Sequence, residues 1–405
     1  MRILHCITGL TGDGAQRVLL RLTHLLRERS FESFVVNLGP RTPLVSEFEA
    51  AQVSVTSLGA SPQMLHMPYV VTSMRRILKK IEPDVIQGWM YHANVISLIA
   101  SSLTKGRTPV AWNIRRGMED YRERSRSTRA VIRLSSVLSS YVDSIVYCSS
   151  VCRSQHEAYG YDSRRGHIVY NGFDREKFHM DEQSRHEART LFSARTNEIV
   201  IGNVGRFDVA KGHRYLVEAF ARLAARVRNV RLVCVGRGMD GTNMEIRDLI
   251  ARAGIADRVA LLGERESVER IFPGFDVYCS ASINEGFPNV IAEAMACALP
   301  CVVTNVGGSA EVVGDSGVIV PSRSGEALAE GLYRYVRLST VERRVVGERA
   351  RERVIAQFSL QAMVERYAQL YRSLKGREDI STREGPLLSG SHYNPDLAVS
   401  SGNIH

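Results

Sequence analysis

The chain is predicted to be an α/β protein of two doubly wound parallel-sheet lobes facing one another across a cleft. Three observations predict it. Short β-branched runs alternate with amphipathic helical stretches along most of the chain, the pattern of parallel sheets covered by helices on both faces. At 405 residues the chain exceeds what one hydrophobic core ordinarily supports, so two domains are expected. A polar, charged stretch from about Arg175 to Asn197 interrupts the alternation where a linker would fall. The lobes are therefore placed at 1–180 and 181–360, followed by a helix at 361–376 crossing back to the first lobe. The polar tail at 377–405 is read as disordered, because it has too few apolar residues to join a core.

In the first lobe, residues 2–8 read as a strand running into the loop Gly9-Leu10-Thr11-Gly12-Asp13-Gly14. An amphipathic helix follows, with Val18, Leu19, Leu22, Leu25 and Leu26 on one side. Gly12 and Gly14 allow a ligand to approach the backbone there. The run Gly12-Asp13-Gly14-Ala15-Gln16-Arg17 lacks the third Gly or Ala of the dinucleotide fingerprint, which argues against a nicotinamide site. Strands are expected at 34–38 and 53–58, and a helix at 68–81, where Val70, Met74, Ile77, Leu78 and Ile81 recur at helical spacing. Pro83 ends that helix before a strand at 84–87. Beyond this strand, where open sheets bind ligands, stands His92. A lone histidine there is as readily a polar residue with an internal partner as a functional group. Strands at 111–116 and 143–149 and an Asn171-Gly172 turn complete the lobe.

The second lobe opens with a strand from Glu198 that delivers Arg206, and a loop delivers Lys211 just before a helix with Leu216, Val217 and Phe220. Two cations at a strand-to-helix crossing suit a diphosphate. Strands follow at 231–236 and 259–263, the latter leading to Arg265. Asp276 to Ala281 should be a buried strand. The loop Ser282-Ile283-Asn284-Glu285-Gly286-Phe287-Pro288 comes next, then a helix from about Asn289 to Ala298, because Pro is tolerated at a helix start. Glu285 thus precedes the helix and Glu293 lies on its second turn. Backbone N–H groups between Phe287 and Val290, where Pro288 itself has none, lack helical partners and suit an anion such as diphosphate, so Gly286, Phe287, Pro288, Asn289 and Val290 are read as donor-binding. Carboxylates flanking an anion site make sense if they grip hydroxyls, which points to a nucleotide-sugar. Strands at 301–304 and 317–321, with a Gly307-Gly308 turn between them, and helices over much of 325–374 close the lobe.

Glu285 and Glu293, within EGFPNVIAEAMACALPCVVTNVGGSAE, resemble the E-x7-E motif of the retaining family 4 glycosyltransferases, which have two Rossmann-like lobes in the GT-B architecture. The frames Gly205-Arg206, Lys211-Gly212 and Asn171-Gly172-Phe173-Asp174 resemble further elements of that family, whereas Asp13 departs from the Gly-Gly turn of many relatives. The resemblance implies that Glu285 contacts the donor sugar, Glu293 the ribose diol, and Arg206 and Lys211 the diphosphate. It implies that Gly12 and Gly14 reach the donor phosphates, that His92 lies near donor sugar and acceptor, and that Arg265 neighbours the base. The activity implied is transfer from a nucleoside-diphosphate-sugar, read as UDP-linked, to a carbohydrate or lipid-linked acceptor in polysaccharide or glycolipid synthesis. Same-face attack assisted by the leaving phosphate is the implied mechanism. No cofactor and no metal is expected, since cationic side chains and helix N–H groups can take a metal's place. A nucleotide-sugar epimerase or phosphorylase on this architecture, and a non-catalytic sugar-nucleotide-binding protein, are the alternatives.

The formal charge of +10 is uneven: residues 1–180 hold 24 Lys and Arg against 15 Asp and Glu, and the remainder 29 against 28. Arg115, Arg116, Arg122, Arg124, Arg126, Arg129 and Arg133 crowd one segment, which makes an anionic membrane surface a candidate partner. Nucleic acid is not expected, because no recognised binding module accompanies the charge. No apolar run reaches bilayer-spanning length, and the first residues open into a strand with no signal-peptide pattern. The expected location is the cytoplasm, with the inner face of the cell membrane as the surface for peripheral contact. Seven cysteines without paired Cys-x-x-Cys spacing read as free thiols.

Overall fold

The structure, a computed structural model, describes residues 1–12, 14–60, 67–104 and 106–376. Asp13 and the tail at 377–405, on both of which the sequence raises expectations, lie outside the described residues. The first sheet holds seven parallel strands: β1 (Arg2–Ile7), β2 (Glu32–Asn37), β3 (Ser54–Ser57), β4 (Val85–Trp89), β5 (Val110–Ile114), β6 (Ser144–Tyr147) and β7 (Gly166–Ile168). Their spatial order is 3-2-1-4-5-6-7. The second sheet holds six: β8 (Ile199–Val204), β9 (Val230–Val235), β10 (Val259–Leu261), β11 (Val277–Ser280), β12 (Cys301–Thr304) and β13 (Val318–Val320), in the order 10-9-8-11-12-13. Strands β4, β5, β6, β11 and β12 are buried at every position. Their near-continuous apolar character is what helices on both faces of a parallel sheet require.

Each sheet reverses its order beside its first strand, between β1 and β4 and between β8 and β11. Such a reversal leaves a crevice outside the carboxyl ends of the strands. Ile7 pairs with Trp89 in register, so the Gly12 loop and the turn carrying His92 leave the first sheet side by side. In the second sheet Ile201 pairs with Val277, which brings the segments after β8 and β11 out together.

The charged stretch at Arg175 to Asn197 is more ordered than its composition suggests. It contains a helix, Glu182–Leu191, whose Arg185 and Arg189 both pair with Asp276, at 2.6 and 3.0 Å. Its Ala188, and Phe192 at its end, turn into the core, with Phe192 stacked on Phe275 at a centroid distance of 5.7 Å. The polar residues that suggested a linker anchor this helix to the second lobe.

The last helix, Leu360–Gly376, packs on the first lobe: Met363, Val364, Tyr367, Ala368 and Tyr371 share a core with Ile3, Ile7, Val18 and Leu22. Asn113 Nδ2 at the end of β5 donates to the Tyr367 hydroxyl at 2.8 Å. An aromatic cluster closes the seam where the chain changes lobes. Phe287 packs against Tyr170 and Phe358 at 5.9 and 5.4 Å, and Tyr170 meets Phe358 edge-on at 5.3 Å.

Candidate functional site

The geometry starts where β8 ends. After Gly205 come Arg206 and Asp208, and the Asp208 carboxylate accepts from Arg206 Nε (3.1 Å) and from the Ala210 amide (2.8 Å), capping the short turn Val209–Lys211. Gly212 follows at φ 63°, and a Cβ there would press into the Ala281 carbonyl. Only glycine meets both demands cheaply, and it starts the helix His213–Arg226 immediately behind Lys211. Lys211 Nζ thus lies 2.6 Å from Glu285 Oε1, an oxygen that also accepts from Ser282 Oγ at 2.7 Å. The two side chains are 24% and 11% exposed, so this pair is largely withdrawn from solvent.

The Glu285 loop follows β11 and is gripped from both sides. Its carbonyl lies against Gly117 of the first lobe and Gly307 of the second, and Gly286 lies against the Arg115 carbonyl. The Gly308 amide donates to the Gly286 carbonyl at 2.9 Å. Contact at Gly286 therefore joins the lobes directly through backbone. Gly286→Ala should wedge the lobes apart and slow any reaction that needs groups from both walls on the order of a hundredfold, the cost of an ångström-scale misplacement. Solution scattering should show a larger radius of gyration than wild type; unchanged turnover and dimensions would refute the wedge.

Glu293 lies on the helix Asn289–Ala296 and is 8% exposed. Burial raises its pKa above the usual carboxylate value, against the opposing influence of Arg21, whose Nη2 is 3.6 Å from Oε1, and of Lys177. Arg21 belongs to the helix Gly14–Arg27, so this carboxylate also faces a cation of the other lobe. The helix ends at Ala296, two residues before the expected Ala298, with Cys297 closing it. Pro288 stands at its cap without a side-chain cap bond. Asn289 Oδ1 accepts from Asn171 Nδ2 of the first lobe at 2.6 Å. Phe287 turns its ring into the aromatic seam, and Val290 is half-buried.

On the opposite wall, Gly12 adopts φ 93°, a value that side chains resist. Gly14 opens the first helix, and a Cβ on it would lie 3.7 Å from Asn289 Nδ2, so the glycine loop and the Glu293 helix start face each other. His92 sits in the first turn of the helix Tyr91–Ser102, half-buried, and burial lowers its pKa. It follows Met90, whose φ 69° and ψ 166° form a region normally reserved for glycine. Arg265 is exposed and follows β10, the edge strand of the second sheet.

The structure thus joins Lys211 to Glu285 directly and sets Arg206 on the same turn through Asp208. Glu293, Gly12 and Gly14 gather where the first helix of one lobe meets the Glu293 helix of the other. Two carboxylates missed in the sequence hold the lobes together. Glu119 Oε1 of the first lobe accepts from the Gly307 amide at 2.9 Å. Glu311 of the second lobe accepts from Ser150 Oγ (2.8 Å) and from the amides of Ser150 and Val151 (both 3.1 Å), at the start of the helix Ser150–Ala158. A carboxylate is favoured at a helix N-terminus. Glu311 lies within the segment carrying the motif, but nothing in its spacing says that it reaches the other lobe.

Residues 12–177 match the family model described as Glycosyltransferase Family 4, and residues 198–337 the one described as Glycosyl transferases group 1. The chain is 29% identical over 205 residues to N-acetyl-alpha-D-glucosaminyl L-malate synthase of Bacillus anthracis, covering 50% of this chain and 52% of that protein. It is 32% identical over 227 residues to D-inositol 3-phosphate glycosyltransferase of Corynebacterium urealyticum, covering 53% of each. The chain spans about half the length of these curated relatives. A solved structure of Anabaena HepE in complex with UDP and glucose shares the fold at a TM-score of 0.80 and 21% identity, over 92% of this chain and 100% of that one. Two Rossmann-like lobes closed on a shared crevice are the GT-B fold of glycosyltransferases. With both halves matched, the chain belongs to the family 4 glycosyltransferases.

Proposed function

We propose that the chain is a retaining glycosyltransferase that moves a sugar from a UDP-sugar to an acceptor hydroxyl, in the synthesis of cell-surface polysaccharide or glycolipid. The observation that carries this reading is the 2.6 Å pair between Lys211 and Glu285 in the inter-lobe crevice. It puts a cation suited to diphosphate beside a carboxylate suited to sugar hydroxyls. The UDP in the Anabaena structure supports the choice of nucleotide.

In this reading Arg206 and Lys211 neutralise the departing diphosphate, the electrostatic help that carries most weight when charge develops on a leaving group. Glu285 accepts hydrogen bonds from the sugar and Glu293 from the ribose. The Gly12 to Gly14 loop admits the phosphates at the backbone, Arg265 neighbours the base, and His92 faces donor sugar and acceptor. The bond from the anomeric carbon to the diphosphate breaks, and a new one to the acceptor oxygen forms on the same face. The acceptor's proton passes to the departing phosphate oxygen, so nucleoside diphosphate leaves carrying the charge that the two cations hold. Lobe closure keeps water from competing. The protein acts in the cytoplasm, at the inner face of the cell membrane.

Incubation with UDP-sugars and a panel of acceptor alcohols, with product anomers read by NMR, tests the reading. Product with the donor's anomeric configuration supports it; conversion without any acceptor, or only with inorganic phosphate, favours an epimerase or phosphorylase. Because side-chain cations do the neutralising, turnover is expected to survive EDTA. Abolition by the chelator, with recovery on adding magnesium, would contradict that expectation.

A further inference from the structure

The seven arginines crowded at 115–133 separate into two groups on folding. Arg115 is buried beside Asn113 and Tyr367. Arg116 and Arg124 both pair with Asp120, and Arg124 also donates to the Gly117 carbonyl and the Tyr91 hydroxyl. Arg115 and Arg124 are thus engaged inside the lobe, and the half-exposed Arg116 is held by its ion pair. Arg122, Arg126, Arg129 and Arg133 make no ion pair among the described residues.

On the helix Arg126–Leu138 the exposed positions include Arg126, Ala130, Arg133, Leu134 and Val137, and Tyr141 lies one turn further on. Their spacing of three and four places them along one stripe. Leu134 is 45% exposed, Val137 66% and Tyr141 65%, on a face where a helix of a water-soluble lobe normally carries polar groups. Leu103, at the end of the neighbouring helix, is 52% exposed. Arg107 ties that end to this one by donating to the Tyr141 carbonyl (2.6 Å) and Asp143 (3.1 Å).

We propose that this face docks on an anionic lipid bilayer, with Leu134, Val137, Tyr141 and Leu103 in the headgroup boundary and Arg126 and Arg133 against lipid phosphates. Apolar side chains interleaved with unpaired arginines match a surface that is apolar below and anionic above. A nucleic acid would pair with the arginines but gain nothing from the valine and leucine. The helix starts just after the loop whose Glu119 and Glu123 reach Gly307 and Arg323 of the second lobe, so docking brings the cleft to the membrane. This deepens the reading of a lipid-linked acceptor, while the binding itself is measured without any acceptor.

The full chain is mixed with extruded vesicles of phosphatidylcholine, alone or with about a third phosphatidylglycerol, and the sedimented fraction is measured. Wild type is expected to bind the anionic vesicles at least about tenfold more tightly, less so at high salt. Leu134→Asp with Val137→Asp should abolish binding, and Arg126→Glu with Arg133→Glu should remove the anionic preference. Val341→Asp with Val345→Asp, at exposed positions on the second lobe, should bind as wild type. A rise in melting temperature with UDP in every variant shows that the site persists, which separates failure here from failure of the transferase reading. The proposal falls if wild type shows no anionic preference or if the second-lobe variant loses as much binding. It falls also if duplex DNA binds with an affinity that only the arginine changes affect.

Discussion

Lys211→Ala is expected to lower the transfer rate by about a hundred- to a thousandfold, the usual cost of removing one preorganised group that meets charge developing in a transition state. In the free protein its ammonium sits 2.6 Å from Glu285, and binding diphosphate would require it to share that charge with the phosphate oxygens. Glu285→Gln should also be slow, because an amide accepts sugar hydroxyls less strongly than a carboxylate. The stability changes should follow a different pattern. Lys211→Ala leaves the Glu285 side chain, 11% exposed, with Ser282 as its remaining partner among the described residues. Such an uncompensated charge is destabilising, so adding Glu285→Gln should restore on the order of 1 kcal/mol or more. Urea unfolding and steady-state kinetics on the two single variants and the double variant separate the effects. Recovered stability without recovered turnover marks the pair as part of the chemistry; recovery of both would mark it as scaffold alone.

Acid is expected to unfold this protein earlier than its carboxylates alone would dictate. His5, His156 and His213 are at most 3% exposed. Burial lowers His5 to about 3 and His156 to about 4. Burial, with Lys211 adding to it, lowers His213 to about 4. His156 Nε2 is 2.9 Å from the Tyr91 hydroxyl and its Nδ1 is 2.7 Å from the Cys152 carbonyl. Neither ring nitrogen of His213 has a hydrogen-bond partner among the described residues. All three therefore stay neutral in the folded protein while the unfolded chain protonates near pH 6.5. Below that value the unfolded state binds more protons, so stability rises with pH and falls on acidification, down to the folded pKa values near 4. Each histidine contributes up to about 1.4 kcal/mol per pH unit, or roughly 4 kcal/mol for the three between pH 7.5 and 5.5. That is a large share of a typical domain's 5–15 kcal/mol. Urea midpoints at the two pH values, with an unchanged slope, test it; equal midpoints would show that protonation is accommodated in the fold.

The sheets were legible in the sequence because a buried parallel strand is a largely apolar run with turn residues at its ends, as at β11 and β12. The E-x7-E segment was legible because one loop and one helix carry it and local spacing decides where its carboxylates stand. Contacts between the lobes were not, since they depend on how two separately built sheets dock. Nothing near Glu119 or Glu311 signals that Gly307 or Ser150, over 150 positions away, will meet it. The helix Glu182–Leu191 hid for a related reason: arginines pairing with Asp276 anchor it, so the polarity that suggested a linker is its means of attachment. In the sequence the arginine cluster is one basic surface, because composition cannot say that Arg115 and Arg124 turn inward and Arg116 pairs with Asp120 while Arg126 and Arg133 face water.

In the proposed function one crevice between the lobes holds a nucleoside diphosphate through Arg206 and Lys211. The most direct test compares the melting midpoint with UDP and with uridine, in wild type and in Arg206→Ala/Lys211→Ala, since a ligand that binds only the native state raises it. A clear rise with UDP, little with uridine, and loss of the UDP effect in the double variant are expected. Equal rises with UDP and uridine, or a full UDP effect in the variant, would contradict it.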